Sequence, residues 1–290
     1  MSSIGNAAPA STAEALAPGP ARTREGGLEP VAVLAALFVV FLALPIVALL
    51  ARALSDGALG STAGSSAVLA ALGLSLGTTL VSLLVTVAVG LPLAYLLARR
   101  QFPGKWLVEA SVDLPIVLPP AVAGLALLLV LGRRGLLGGA LDQAGIEVAF
   151  TSAAVVVAQV FVSAPFFVRS ARAGFAAVDR DMEDAARVDG ATEPRLFWAV
   201  TVPLAAPSLA AGLVMSWARA LGEFGATIMF AGNVLGRTQT LPLVVYSEFQ
   251  GGDLDASIAA AATLVVAALG VLLAVRLFHW GRVLDVRSIG

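Results

Sequence analysis

Charge is missing from long parts of this sequence. Setting aside every Asp, Glu, Lys and Arg leaves six unbroken stretches of at least 18 residues: 30–51, 57–98, 114–132, 148–168, 196–218 and 256–275. A helix rising about 1.5 Å per residue needs about 20 such residues to cross the roughly 30 Å hydrocarbon core of a bilayer. Each stretch therefore reads as a candidate span. The chain is 59% hydrophobic and 13% charged, against about 45–50% and 25% for soluble domains. A water-soluble globular fold is excluded, and the expected class is an all-α membrane protein with six transmembrane helices.

The first candidate is the most apolar. Val31 to Leu50 holds fourteen Val, Leu, Ile or Phe, five Ala and Pro45; at roughly −0.3 to −0.6 kcal/mol each, the fourteen favour insertion by about 4–8 kcal/mol. The second opens with a Gly/Ser segment, leaving Ala67 to Ala98 as one tilted helix with a kink expected at Gly90 and Pro92. Pro115, Pro119 and Pro120 are expected to disrupt the start of the third. Freed carbonyls there must face protein or a water-filled cavity, so a bend near a translocation path and a simple packing adjustment both stand.

Arrangement of the basic residues gives the orientation. With the amino terminus inside, thirteen Lys and Arg fall on inner segments and four (Arg52, Arg133, Arg134, Arg237) on outer ones, with Arg219 inside a span. The positive-inside rule then places both termini in the cytoplasm. Residues 1–29, rich in Ala, Pro, Gly and Ser, read as a disordered cytoplasmic tail. The apolar run after it is longer than a signal-peptide core. Residues 30–285 read as the transmembrane domain.

Several chemistries lack their residues. The sequence has no Cys and one His, His279, which removes thiolate-ligated metals, paired-histidine metal sites and a histidine-based catalytic pair from consideration. No metal site or catalytic residue is expected, and His279 reads as a membrane-interface side chain. No GxxxxGK[ST] phosphate loop occurs, since Gly104-Lys105-Trp106 lacks both the first glycine and the hydroxyl. Net charge of −1 speaks against a nucleic-acid partner.

The segment 178–203 differs in kind from the other loops. Val178, Met182, Ala185 and Ala186 recur at helical spacing; Asp179 or Asp181 can cap the start, and Gly190 can end the helix in the left-handed conformation. Thr192 can cap a second helix with Pro194 in its first turn. From Asp179 to Arg195 there are six acids and three arginines, so a partner groove should be positive.

Asp184-Ala185-Ala186, three residues, Gly190, nine residues, then Val200-x-Val202-Pro203 resembles the EAA loop of bacterial ABC-importer permeases. Asp184 stands for Glu, Val200 for Ile and Val202 for Leu. In that family the loop is a coupling helix docking on a separate ATPase, which implies ATPase-coupling roles for Asp184, Ala185, Ala186, Gly190 and Pro203. Further runs over residues 67–280, including Leu114-Pro115-Ile116-Val117-Leu118-Pro119-Pro120 and Arg219-Ala220-Leu221-Gly222-Glu223-Phe224-Gly225-Ala226-Thr227, resemble molybdate ABC permeases. Sulfate and thiosulfate permeases are similar around Arg-x-x-Gly-Glu and stand as the alternative. The resemblance implies a type I ABC importer permease fold in a bacterial inner membrane. It also implies a second permease copy, two ATPase subunits carrying ATP and Mg, and a periplasmic or extracellular oxyanion-binding protein; no cofactor belongs to this chain.

Arg219 and Glu223 are the intramembrane charges that stand out. A lone arginine at mid-bilayer costs roughly 2.5–3.5 kcal/mol, and Glu223 at i+4 is its natural partner. Two readings remain open: a pair lining the path of a dianion, with Thr227 and Thr240 as neutral donors, or an ion pair locking helices at a permease dimer interface. Hydroxyls in membrane helices more often bond their own backbone. From another class, an ATP-independent channel or secondary carrier would use the same pair for ion coupling.

Overall fold

The computed structural model describes residues 29–55 and 65–287, with side chains for 31–55 and 65–273. The expected disordered tail lies outside the described residues except for Glu29, and the side chain of His279 lies outside them too. The chain divides into two units, Met1–Ala48 and Leu49–Gly290.

Helix α1 (Glu29–Ser55) belongs to both units. From Val31 to Ala48 every residue is exposed, and the apolar side chains cover all sides of the cylinder. A helix with that surface requires an apolar surrounding.

In the second unit, α2 (Ser66–Arg99) starts at Ser65, whose hydroxyl accepts from the Val68 amide at 3.3 Å. At about 51 Å it exceeds the bilayer core and must tilt; its helical residues continue through Gly90 and Pro92. One face buries Val68, Ala71, Ser75, Thr79, Ser82, Thr86, Gly90, Ala94 and Leu97. Between Val68 and Leu97 these are small or hydroxylated side chains at three- and four-residue steps, the composition that lets membrane helices approach closely.

The third stretch is disrupted near its start, as expected of its prolines. Helix α3 (Lys105–Val117) and α4 (Pro120–Leu131) are separated at Leu118 and Pro119, both extended (ψ 131° and 134°). Successive prolines explain the break, because each pushes the residue before it out of the α region; Pro115 is carried inside α3. Helix α4 spans only about 18 Å, so five helices, not six, are long and apolar enough to cross alone among the described residues. Helix α3 begins nine residues before the charge-free limit, drawing in Glu109 and Asp113. These pair with arginines of the helix Ser152–Ala177: Arg172 to Glu109 at 2.9 Å and Arg169 to Asp113 at 3.6 Å.

After the short α5 (Gly138–Gln143), α6 (Ser152–Ala177) runs through the middle of the unit between α2 and the helix Val202–Leu221. Helix α7 (Arg180–Val188) and α8 (Glu193–Leu196) follow, then a π turn (Phe197–Thr201) leading into α9 (Val202–Leu221). Then come α10 (Gly225–Phe230), α11 (Leu241–Gly251) and α12 (Leu254–Arg287). One core cluster joins Leu91, Ala94 and Leu97 of α2 to Phe167, Ala171 and Phe175 of α6 and Ala205 and Leu209 of α9. Another joins Ala123 of α4 to Val155 and Val162 of α6 and Ala226 and Phe230 of α10.

Candidate functional site

Two polar regions stand out from this apolar frame. The first is the loop carrying α7. Asp179 caps α7, its Oδ1 accepting from the Asp181 amide at 3.0 Å. Gly190 ends the turn with φ +85°, its amide donating to the Arg187 carbonyl and that of Ala191 to the Ala186 carbonyl, both at 3.0 Å. Such an αL closure satisfies the last carbonyls of a helix. Thr192 sits at the cap position of α8, where its carbonyl, not its hydroxyl, accepts from Leu196.

Of the apolar residues expected to form one face of α7, Met182 and Ala185 are exposed, Ala186 is half-buried and Val178 is buried. Val188 is 86% exposed. Met182 and Ala185 of that face are therefore presented outward. Asp184 is exposed as well and belongs to a clip in which Arg187 donates to Asp184 at 2.7 Å and to Glu193 at 2.8 Å. The hydrogen bond from Arg187 holds the Glu193 carboxyl below the usual carboxylate range, and Glu193 in turn raises the guanidinium. Pro203 is the second residue of α9, directly after the π turn.

Sequence reasoning missed Glu183. It is 4% exposed, with its Oε1 accepting from Arg99 Nη2 at 2.8 Å and from the Thr201 hydroxyl at 2.8 Å. Among six acids of one segment nothing in the sequence marks this one; only its partner 84 residues away does.

The second region lies where α9 ends. Gly222 to Phe224 are non-helical between α9 and α10. Arg219 is in the last turn of α9 and Glu223 lies just past its end, so the pair closes a turn and is not stacked along a continuing helix. Arg219 Nη1 stands 2.6 Å from Glu223 Oε2, with side-chain exposures of 29% and 1%. That approach is an ion pair set off the hydrogen-bonding direction. The other oxygen, Oε1, accepts from the Ala226 amide at 2.7 Å, satisfying a backbone donor where irregular chain is surrounded by protein.

Around the turn, Gln159 Nε2 of α6 donates to Thr79 Oγ1 of α2 and to the Ala220 carbonyl of α9, each at 3.2 Å. Ser75 accepts from the Leu241 amide at 2.8 Å. Thr227 and Thr240 are buried, and neither hydroxyl finds a hydrogen-bond partner among the described residues, so the backbone bonds expected of them are not made. Helix α10 packs on α4 so closely that a Cβ added at Gly124 would lie 2.5 Å from the Ala226 carbonyl oxygen and 2.8 Å from Met229 Cβ. Only glycine fits there.

Residues 90–280, which contain both regions, match the family described as binding-protein-dependent transport system inner membrane component. The chain belongs to that family. It is 40% identical over 191 residues to the probable transport system permease protein NifC of Clostridium pasteurianum, covering 65% of this chain and 66% of that one. With the molybdenum transport system permease protein ModB of Mycobacterium tuberculosis the identity is 44% over 187 residues, 64% of this chain and 70% of the relative. The fold resembles a chain of a bacterial ABC transporter involved in the import of the acidic polysaccharide alginate, with TM-score 0.68 and 20% identity over 88% of this chain and 93% of that one. This family member is a multi-pass inner-membrane protein with the type I ABC importer permease fold, and the family supplies the permease, not the ATPase, of such importers.

Proposed function

We propose that this chain is the membrane-spanning subunit of an ATP-driven molybdate importer, with tungstate as a substrate analogue. The observation that carries the substrate is the 44% identity to a molybdenum permease. Support for the coupling role comes from α7, whose apolar residues and Asp184 face outward beside the fixed turn at Gly190. Two copies of the chain would meet two ATPase subunits, which bind ATP and Mg and perform the hydrolysis, and an external oxyanion-binding protein would deliver the anion. Closure of the ATPases draws the paired α7 helices together and opens the path on the opposite side, a rigid-body alternation. The excess of basic residues on one set of segments supports cytoplasmic termini, with residues 1–29 as a tail.

Arg219 and Glu223 serve in this account as a lock on the α9–α10 turn. A carboxylate that is fully buried, capping Ala226 and paired with Arg219, supports that role over attraction of a dianion. The substrate assignment is tested by uptake of labelled molybdate in cells carrying the transporter, with sulfate and tungstate as competitors. Tungstate is expected to compete and sulfate not; efficient competition by sulfate alone would move the chain to the sulfate and thiosulfate class.

A further inference from the structure

We infer that the two adjacent acids of α7 divide the work of the loop: Asp184 faces outward toward the docking partner, while Glu183 is a positioning residue that fastens α7 to two membrane helices at once. The inference rests on the coupling role proposed above and adds how motion of α7 reaches the bilayer.

Among the nine residues of α7, Glu183 is the one that is buried. The helix is therefore not held by an apolar stripe, since Met182 and Val188 are 54% and 86% exposed. Its carboxylate oxygen Oε1 receives one donor from the end of α2, Arg99 Nη2, and one from the foot of α9, the Thr201 hydroxyl, both at 2.8 Å. Arg99 Nη2 also donates to the Val178 carbonyl at 3.2 Å, just before α7 begins. Side-chain exposures of 10% for Arg99 and 5% for Glu183, with Thr201 fully buried, keep the group out of water, where such charge-assisted bonds are strongest.

The anchorage is stiff on both sides. Thr201 closes the π turn Phe197–Thr201, a local insertion that shifts the register of the helix passing through it. Phe197 in that turn packs edge-on against Tyr95 of α2, with ring centroids 4.9 Å apart, and Tyr95 packs edge-on against Phe175 of α6 at 5.5 Å. An apolar contact would let α7 slide across this base. A carboxylate held from two directions fixes both position and rotation, so a push on α7 arrives at α2 and α9 together.

The test uses the complete complex of permease, cognate ATPase and binding protein in proteoliposomes, reading oxyanion transported per ATP hydrolysed. Thr201→Val is isosteric and removes only the hydroxyl; Glu183→Gln keeps the shape and removes the charge. Both are expected to lower the transport-to-hydrolysis ratio by about two- to thirty-fold, the range of mutational effects on coupling between sites, while the ATPase still copurifies. Thr201→Ser, which keeps the donor, restores the wild-type ratio. Asp184→Asn instead weakens ATPase copurification. Wild-type ratios in both Thr201→Val and Glu183→Gln overturn the inference, as does loss of ATPase copurification in Glu183→Gln, which would make Glu183 a docking residue. If Asp184→Asn, Glu183→Gln and substitutions at Gly190 all leave both readouts unchanged, the coupling role itself is refuted.

Discussion

Gly190 separates two physical reasons for a glycine in the proposed coupling loop, and substitutions there give opposite orders under each. Its φ of +85° lies in the left-handed region, where an L-residue with a Cβ costs about 1–2 kcal/mol. No heavy atom lies within 4 Å of where that Cβ would stand, so within this chain the penalty is conformational and not steric. Alanine should weaken the α7–α8 turn by that 1–2 kcal/mol, a factor of about 5–30 in the population of the closed turn. Asparagine, which visits the left-handed region several-fold more often than most residues, should cost less despite its greater size, and a β-branched valine more. The assay is binding-protein-stimulated ATP hydrolysis by the reconstituted complex. The expected order is Gly, Asn, Ala, Val. If alanine outperforms asparagine, bulk against the partner decides the position, and the argument from φ is wrong.

Other outcomes follow from the same geometry. Glu223→Ala strands Arg219 and the Ala226 amide together, a loss of about 3–5 kcal/mol for one partner of a buried ion pair; it should lower the thermal midpoint of the purified permease, and the double change Arg219→Met, Glu223→Leu should recover part of it. Recovery with retained transport also counts against a pathway role for the pair. Gly124→Val should destabilise by at least about 1–3 kcal/mol through overpacking against Ala226 and Met229, whereas Gly139→Val, in open space, should leave the melting curve unchanged. The Arg187–Glu193 clip has a pH signature set by the lowered Glu193 carboxyl. Its contribution is complete above the unfolded value of about 4.3 and is lost as pH falls through the lower folded value. Amide exchange in 187–193 should therefore be unaffected at neutral pH and rise in acid beyond its intrinsic trend, an increment that Glu193→Gln should abolish.

Much of the frame is legible in the charge-free stretches. Helices α1, α2, α6, α9 and α12 lie over five of them, because burying a charge in lipid is costly enough to mark the boundary. The rule fails at 114–132 for two local reasons. Arg169 and Arg172 compensate Glu109 and Asp113, so charges enter the helix, and Pro119–Pro120 breaks a run that is continuous by hydropathy, a disruption the prolines themselves announce. In the loop carrying α7, Gly190 and Pro194 announce the turn and the second helix from sequence because each acts through its own backbone. Glu183 could not be chosen over Asp181 or Asp184, since its distinction is made by Arg99 and Thr201, which only the fold brings together. The Arg219–Glu223 pair was visible from i+4 spacing, but its place at a helix end follows from the stop at Gly222.

The central claim, that this chain moves an oxyanion by coupling to a separate ATPase, is tested most directly by uptake of labelled molybdate into proteoliposomes holding permease, ATPase and binding protein. Accumulation should require ATP and should cease when the phosphate-loop lysine of the partner ATPase is replaced. Molybdate accumulation that continues unchanged with that inactive ATPase would contradict the account and make the chain a channel or secondary carrier.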